Sequence, residues 1–189
     1  MDSLHNDFAV KLNIVTPDLD LSRKTKSIES HVKLKSNTSY RVVRDYLSQQ
    51  SMKQVLNILP ERIQEACIGV TKSSINSLPP HVHNIERCVI NLYYKVSGEE
   101  TVFYDGNYDV VTSDVEDSGK GYYLVDSTKI DRVLSYTASC GEVYILNTRK
   151  AHSVIDTCQV DDSRLIVQVF LDMDFTQACL ILSDNGMIN

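Results

Sequence analysis

The chain has 189 residues, of which 42% are hydrophobic and 23% are charged, and its formal net charge is −6. This length suits one domain with a buried core better than two domains. The acidic balance argues against a broad nucleic-acid surface, although a local basic groove is not excluded. No stretch approaches the roughly 20 apolar residues that span a bilayer, and the N-terminus lacks the basic start and apolar core of a secretory signal.

Cysteine usage indicates the compartment. The five cysteines are widely spaced, odd in number and form no CxxC pair. This pattern argues against a disulfide scaffold and predicts a reducing, cytoplasmic environment.

Residues 1–38 read as an N-terminal extension. FAVKLNIV, residues 8–15, predicts an edge strand, whereas the polar and basic SRKTKSIESHVKLK, residues 22–35, predicts a loop or a substrate-facing segment.

Residues 39–78 read as helical support for a sheet. From Ser39 to Gln64, apolar residues recur at spacings of three and four, which is the periodicity of a helix. Pro60 favours a new turn or short helix after it. The sequence therefore predicts one or two helices packed on one face of a sheet.

Residues 79–176 read as the core of a β-barrel. The segments RCVINLYYKV, ETVFYD, GYYLVD, GEVYILNT and RLIVQVFL are rich in β-branched and aromatic residues, and turn-forming residues separate them. Many short strands of this kind are typical of a β-sandwich or barrel. The predicted fold class is α+β, mainly β, in a single domain. The acidic segment 107–121 predicts a surface loop over the barrel mouth.

Three histidines form the candidate metal site. His81 and His83 begin a predicted strand, where residues i and i+2 point to the same face. His152 follows another predicted strand, and antiparallel pairing would bring it beside them. Imidazole suits iron, zinc, copper and nickel. Solvated surface histidines are the alternative interpretation of the same pattern.

The segments HVHNIERCVINLYY, ETVFY, GEVYILNTRKAHSV and SRLIVQVFL resemble the double-stranded β-helix, or jelly roll, of the 2-oxoglutarate- and Fe(II)-dependent oxygenases. They are most similar to the aspartyl/asparaginyl hydroxylase-like branch. The resemblance implies that His81 is the first metal ligand and His152 the distal one. It also implies that Arg164, twelve residues later, holds the far carboxylate of 2-oxoglutarate.

The sequence departs from this family at His83, which stands where the family has Asp. Either His83 ligates and gives a three-histidine site, or it does not ligate and a water takes its place, or the usual chemistry is lost. We favour the first, because an imidazole can fill the position of the carboxylate. Glu86 is the nearest carboxylate, but strand alternation predicts that it points the other way.

Two arginines and an asparagine are candidate cosubstrate-binding residues. Arg164 begins a run that reads as a buried strand, and a buried guanidinium needs an anionic partner. The alternative is an exposed Arg164 that pairs with Asp161 or Asp162. Arg87 could contact the other carboxylate of the cosubstrate or form a surface salt bridge. Asn91 could face the same interior or serve only in packing.

A cupin is the second candidate, because cupins also carry an HxH pair and a later His, and some are three-histidine dioxygenases. Asn147 and Arg149 replace the expected Pro and Gly of its second motif.

The sequence thus predicts an Fe(II) enzyme that hydroxylates a small molecule or an amino-acid or peptide side chain with 2-oxoglutarate. A non-catalytic jelly-roll binding module is the alternative of another class. Nucleic acid is not excluded as a partner, no membrane is expected, and the substrate and oligomeric state are not specified.

Overall fold

The computed structural model describes residues 7–22, 27–33, 39–75, 77–112, 122–125, 127–156 and 164–188. These residues form two antiparallel sheets, three α-helices and the short 3-10 helix Ser127–Lys129, with strands and α-helices numbered in chain order. The mainly β, α+β class predicted from the sequence is confirmed.

The larger sheet has seven strands in the order β1-β11-β6-β13-β4-β3-β2. Its members are β1 (Ala9–Leu12), β2 (Ser27–Lys33), β3 (Ser39–Tyr46), β4 (Cys67–Ile75), β6 (Cys88–Lys95), β11 (Val143–Asn147) and β13 (Arg164–Leu171). As predicted, the segment that contains β1 lies at an edge of the sheet.

The smaller sheet has six strands in the order β10-β7-β12-β5-β9-β8. Its members are β5 (Leu78–His83), β7 (Glu100–Asp105), β8 (Val110–Thr112), β9 (Tyr122–Val125), β10 (Asp131–Thr137) and β12 (His152–Ile155). From β4 to β7, and again from β10 to β13, consecutive strands alternate between the two sheets. Strands that are neighbours in sequence therefore face each other across the interior.

Three helices accompany the sheets: α1 (Gln49–Asn57), α2 (Glu61–Glu65) and α3 (Phe175–Asp184). Ser48 caps α1 by accepting a hydrogen bond from the backbone N of Ser51 at 3.1 Å. Asp174 caps α3 in the same way through the backbone N of Thr176 at 3.0 Å. Such caps satisfy backbone donors that have no partner within the helix.

The main apolar core lies on the outer face of the larger sheet. Cys88, Ile90 and Leu92 of β6 point towards the helices and are fully buried. Val55 of α1, Ile63 of α2 and several side chains of α3 pack against the same cluster. The alternate residues of β6 face the space between the sheets. The helices thus bury one face of the larger sheet and leave its other face for the interior.

The structure corrects three expectations about local structure. Ser39–Tyr46 is a strand and not a helix, because hydrogen bonds to β2 and β4 override a periodicity that also fits helices. Ser27–Lys33, expected to lie in a loop or a substrate-facing segment, is the edge strand β2. Within the expected loop 107–121, Val110–Thr112 is a strand, and residues 113–121 lie outside the described part of the chain.

The expected division into extension, helical support and barrel core also differs from the sheet pairing. Strands β1 to β4 precede residue 78, yet they belong to the same sheet as β6 and β13. Helical support is limited to α1 and α2 within residues 39–78, and α3 was not predicted from the sequence. None of the helices in the described part of the chain is long and apolar enough to cross a membrane.

We expect Ile90→Ala to lower the free energy of unfolding by about 2–5 kcal/mol, because it leaves a cavity in the core beneath the helices. Ile68→Ala is the matched control, since Ile68 is 51% exposed in strand β4, and we expect it to cost less than about 1 kcal/mol. Urea unfolding followed by circular dichroism measures both. Equal losses for the two variants would contradict this placement of the core.

Candidate metal centre

Strand pairing brings the three predicted histidines together. His81 and His83 lie on β5, and His152 is the direct antiparallel partner of His81 on β12. The ring centroids of His81 and His152 are 4.2 Å apart, and those of His83 and His152 are 5.2 Å apart. One nitrogen from each ring lies within 4.8 Å of the others. The cluster therefore has the spacing of three ligands around one ion.

The environment keeps these imidazoles neutral. His81 is 1% exposed, and His83 and His152 are each 6% exposed. Burial, together with the other histidines, lowers the pKa of His81 well below its usual value and lowers that of His152 to about 3. Burial also lowers the pKa of His83, although Glu86 partly opposes this effect. Neutral imidazole is the form that binds metal ions.

Hydrogen bonds select which nitrogen of each ring can bind a metal. The Nδ1 atoms of His81 and His152 lie 2.8 Å and 2.9 Å from the carbonyl oxygens of Pro79 and Lys150. A carbonyl oxygen only accepts, so Nδ1 must carry the proton. The lone pair of each neutral ring is therefore on Nε2. Backbone partners of this kind orient histidine ligands in known metal sites.

Glu86 lies beside His83, contrary to the expectation from strand alternation. Its Oε2 atom is 3.5 Å from His83 Nδ1. Strand β5 ends at His83, so alternation no longer applies to the turn that follows. Burial raises the pKa of Glu86, but His83 and the Arg44 guanidinium outweigh this effect and lower it below the usual value.

The turn after His83 is held from the segment that leads to His152. Arg149 Nη1 donates to the carbonyl oxygens of His83 and Asn84, both at 3.2 Å. Thr148 Oγ1 donates to the carbonyl oxygen of Glu86 at 2.8 Å. The two ligand-bearing segments therefore fix each other.

Arg164 is buried with its guanidinium only partly satisfied. The residue is 4% exposed, and its Nε atom has no hydrogen-bond partner. Its Nη1 atom lies 3.4 Å from Thr101 Oγ1, and its Cζ atom lies 5.9 Å from the centroid of the Tyr93 ring. No carboxylate among the described residues pairs with it, while the alternative partners Asp161 and Asp162 lie outside them. A buried cation in this state favours an anionic ligand.

Glu99 positions Arg164 through the backbone. Its Oε1 atom accepts a hydrogen bond from the backbone N of Arg164 at 3.0 Å, and its Oε2 atom accepts one from the backbone N of Ser97 at 2.9 Å. The carboxylate thus anchors the start of β13.

A small cavity separates the histidines from Arg164. Its volume is about 30 Å³, and a cavity needs roughly 10–15 Å³ to hold one water molecule. It is lined by the three histidines, Asn91, Thr101, Arg164, Gln168 and apolar neighbours. This space fits a metal ion bound by the imidazoles. A five-carbon diacid needs more room, which side chains of the cavity must provide by moving.

A chain of hydrogen bonds forms the wall opposite the histidines. Ser73 Oγ donates to Gln168 Oε1 at 2.7 Å, and Gln168 Nε2 donates to Asn91 Oδ1 at 3.1 Å. Asn91 Nδ2 lies 3.5 Å from the hydroxyl oxygen of Tyr93. Asn91 therefore faces the interior, but neighbouring side chains already engage its polar atoms.

Arg87 lies away from this site. Its Nε atom is 3.3 Å from Asp172 Oδ1, and both side chains are more than half exposed. The residue does not line the cavity. The alternative of a surface salt bridge therefore describes Arg87, and the expected role in cosubstrate binding has no support from its position.

Five residues of the site were missed in the sequence: Glu99, Thr101, Thr148, Arg149 and Gln168. Gln168 carried a signal, because it interrupts the otherwise apolar run RLIVQVFL of a buried strand. The others lie at strand starts or in a turn, where no pattern distinguishes them from surface residues.

No protein-family model matches the chain, and no curated protein matches it either. Two solved structures of YcfD from E. coli share the fold, and the second is described as a ribosomal oxygenase. The first has a TM-score of 0.55 at 10% sequence identity and covers 95% of this chain and 55% of YcfD. The second has a TM-score of 0.53 at 8% identity and covers 91% and 50%. The chain thus spans about half the length of these structures, and at such identities the similarity concerns the fold alone.

We expect the protein to bind one divalent ion, such as Co(II), through the three histidines. At a free concentration 100 times the dissociation constant, binding stabilises the folded state by about 2.7 kcal/mol. Thermal unfolding with and without Co(II), and after a chelator, measures this effect. His152→Ala should abolish it, whereas Arg87→Ala, which alters only an exposed ion pair, should retain it. Equal stabilisation of the His152→Ala variant would contradict the site.

Proposed function

We propose that this protein is a non-haem Fe(II) oxygenase with a jelly-roll barrel, and that it uses 2-oxoglutarate. The observation that carries the proposal is the pairing, within one small interior, of three buried neutral histidines with a buried arginine that has no carboxylate partner among the described residues. Burying a cation without an anionic partner is costly, and buried groups with strongly shifted pKa values cluster at functional sites.

The strand order supports the jelly-roll interpretation. Strands β4, β13, β6 and β11 are neighbours in one sheet, and β5, β12, β7 and β10 are neighbours in the other. Such alternation of consecutive strands between two facing sheets is the topology expected of a double-stranded β-helix. The similar fold of YcfD, one structure of which is described as a ribosomal oxygenase, agrees with this interpretation.

The donor set fits iron. Imidazole nitrogen binds Fe(II) well, and three ligands on one side leave positions open for other molecules. When bound, the iron supplies the activation of oxygen that side chains cannot provide. The chain itself orients the three imidazoles and keeps bulk water away, because the ligands are almost fully buried.

Arg164 fits the far carboxylate of 2-oxoglutarate. A guanidinium binds a carboxylate through two parallel hydrogen bonds, and Nε is one of the donors available for them. Thr101 Oγ1 lies next to the same guanidinium and can add a further hydrogen bond. Asn91 and Gln168 lie on the same cavity wall, where a shift of their side chains would enlarge the space.

A three-histidine dioxygenase of the cupin type, acting without 2-oxoglutarate, is the second candidate. Two observations favour it: His83 replaces the carboxylate ligand, and the cavity of about 30 Å³ is small for a cosubstrate. In that case Arg164 would bind an anionic group of the substrate itself.

Several finer assignments stay predictions. The aspartyl/asparaginyl hydroxylase-like branch rests on the sequence motif alone. We propose a protein or peptide side chain as the substrate, because one structure with this fold is described as a ribosomal oxygenase. The cytoplasmic location also stays a prediction from the cysteines, of which the four in the described ranges have free thiols.

Anaerobic titration with Fe(II) and 2-oxoglutarate tests the proposal. The oxygenase should develop a metal-to-ligand charge-transfer band in the visible when both are present. Tight Fe(II) binding without this band would instead favour the cupin-type dioxygenase. A protein that binds no metal would overturn both enzymes and favour a non-catalytic binding module.

We expect Arg164→Ala to weaken 2-oxoglutarate binding by about 2 kcal/mol or more, roughly 30-fold, because the diacid loses a buried charged partner. Fe(II) affinity should change little, since Arg164 is not a ligand. Calorimetric titration of each variant with both ligands measures the two effects. Arg87→Ala, an arginine removed outside the cavity, is the matched control. Parallel losses of metal and 2-oxoglutarate would show that Arg164 serves the fold and not the cosubstrate.

A further inference from the structure

We infer that Glu86 is a positioning residue, which orients His83 as a metal ligand and supplies the negative charge that an Asp at position 83 would have supplied directly. The inference rests on the metal site of the proposed function. It explains how a three-histidine site can resemble a site of two histidines and one carboxylate.

The position of Glu86 carries the inference. Its Oε2 atom lies 3.5 Å from His83 Nδ1, on the opposite side of the ring from Nε2. The carboxylate does not belong to the group of ligand atoms that lie within 4.8 Å of one another. It is partly buried, with 20% of its side chain exposed, so water screens its charge only in part. Glu86 therefore acts on a metal through the imidazole and not as a fourth ligand.

The three imidazoles differ in their outer partners. Backbone carbonyl oxygens accept from the Nδ1 atoms of His81 and His152, whereas a carboxylate faces Nδ1 of His83. A carboxylate makes the imidazole a stronger donor to the metal than a neutral carbonyl does. The charged partner thus lies behind the one ligand that replaces a carboxylate.

The surrounding turn keeps Glu86 in place. Thr148 Oγ1 donates to the backbone carbonyl oxygen of Glu86, and Arg149 donates to the carbonyl oxygens of the three residues before it. These contacts use the backbone of the turn and leave the Glu86 carboxylate directed at His83. A turn that only connected β5 to β6 would not need the Glu86 carboxylate to face His83.

The test measures Co(II) affinity and the Fe(III)/Fe(II) potential in Glu86→Gln, which keeps the size of the side chain and removes its charge. We expect Co(II) affinity to fall by about 10–100-fold. We also expect the potential to rise, because a lost negative charge destabilises ferric iron more than ferrous iron. Glu65→Gln, in an exposed position of α2, removes the same charge far from the site and should change neither value.

A second background separates action through His83 from a general effect of charge. In His83→Asp the carboxylate ligand is present directly, and no imidazole remains for Glu86 to orient. Adding Glu86→Gln to that variant should therefore change Co(II) affinity less than threefold. An equal loss in both backgrounds would overturn the inference, as would an unchanged affinity and potential in Glu86→Gln alone.

The metal-free melting temperature of each variant shows whether it has folded. If the parent protein binds neither Co(II) nor Fe(II), the proposed function itself is wrong, and the inference falls with it. If the parent protein binds both ions, and Glu86→Gln has the same Co(II) affinity and Fe(III)/Fe(II) potential as the Glu65→Gln control, the proposed function stands and the inference is wrong.

Discussion

The register between β5 and β12 is the constraint on which the site depends. It places His152 directly opposite His81, while the two-residue repeat of a strand places His83 on the same face. A shift of one residue would turn the imidazole of His152 away from the interior. The helices bury the outer face of the larger sheet, and the inner face of that sheet carries the polar groups that share the cavity with the histidines.

The polar groups of the interior lie in one place. The main apolar core fills the space between the larger sheet and the helices, whereas between the sheets further apolar clusters surround histidines, an arginine, amides and hydroxyls. Burying such groups is unfavourable unless partners satisfy them. Most of them have such partners, in particular Ser73, Gln168 and Asn91. Among the polar groups that line the cavity, the Nε atom of Arg164 has no hydrogen-bond partner, and it lies beside the metal-binding groups, which points to a ligand.

The charge of the ligands distinguishes this site from metal sites with two histidines and one carboxylate. Three neutral imidazoles bring no negative charge to a divalent ion, whereas a site with one carboxylate does. Glu86 lies one step behind His83, in a turn that Thr148 and Arg149 hold. The site therefore has a carboxylate close to the metal position that is not itself a ligand. The Arg164 guanidinium lies on the opposite wall of the cavity.

The sequence by itself determined the mainly β class, the three candidate histidines and Arg164 as a candidate for binding an anion, because alternation and residue chemistry are local properties. It did not determine that Ser39–Tyr46 is a strand, since the same apolar spacing fits a helix until sheet partners compete for the backbone. Only the tertiary structure showed that Arg164 is buried beside the histidines whereas Arg87 is exposed away from them. It also showed that Glu86 faces His83. Those outcomes depend on where a strand ends and on which surfaces are buried, and such facts arise from contacts between residues far apart in the chain.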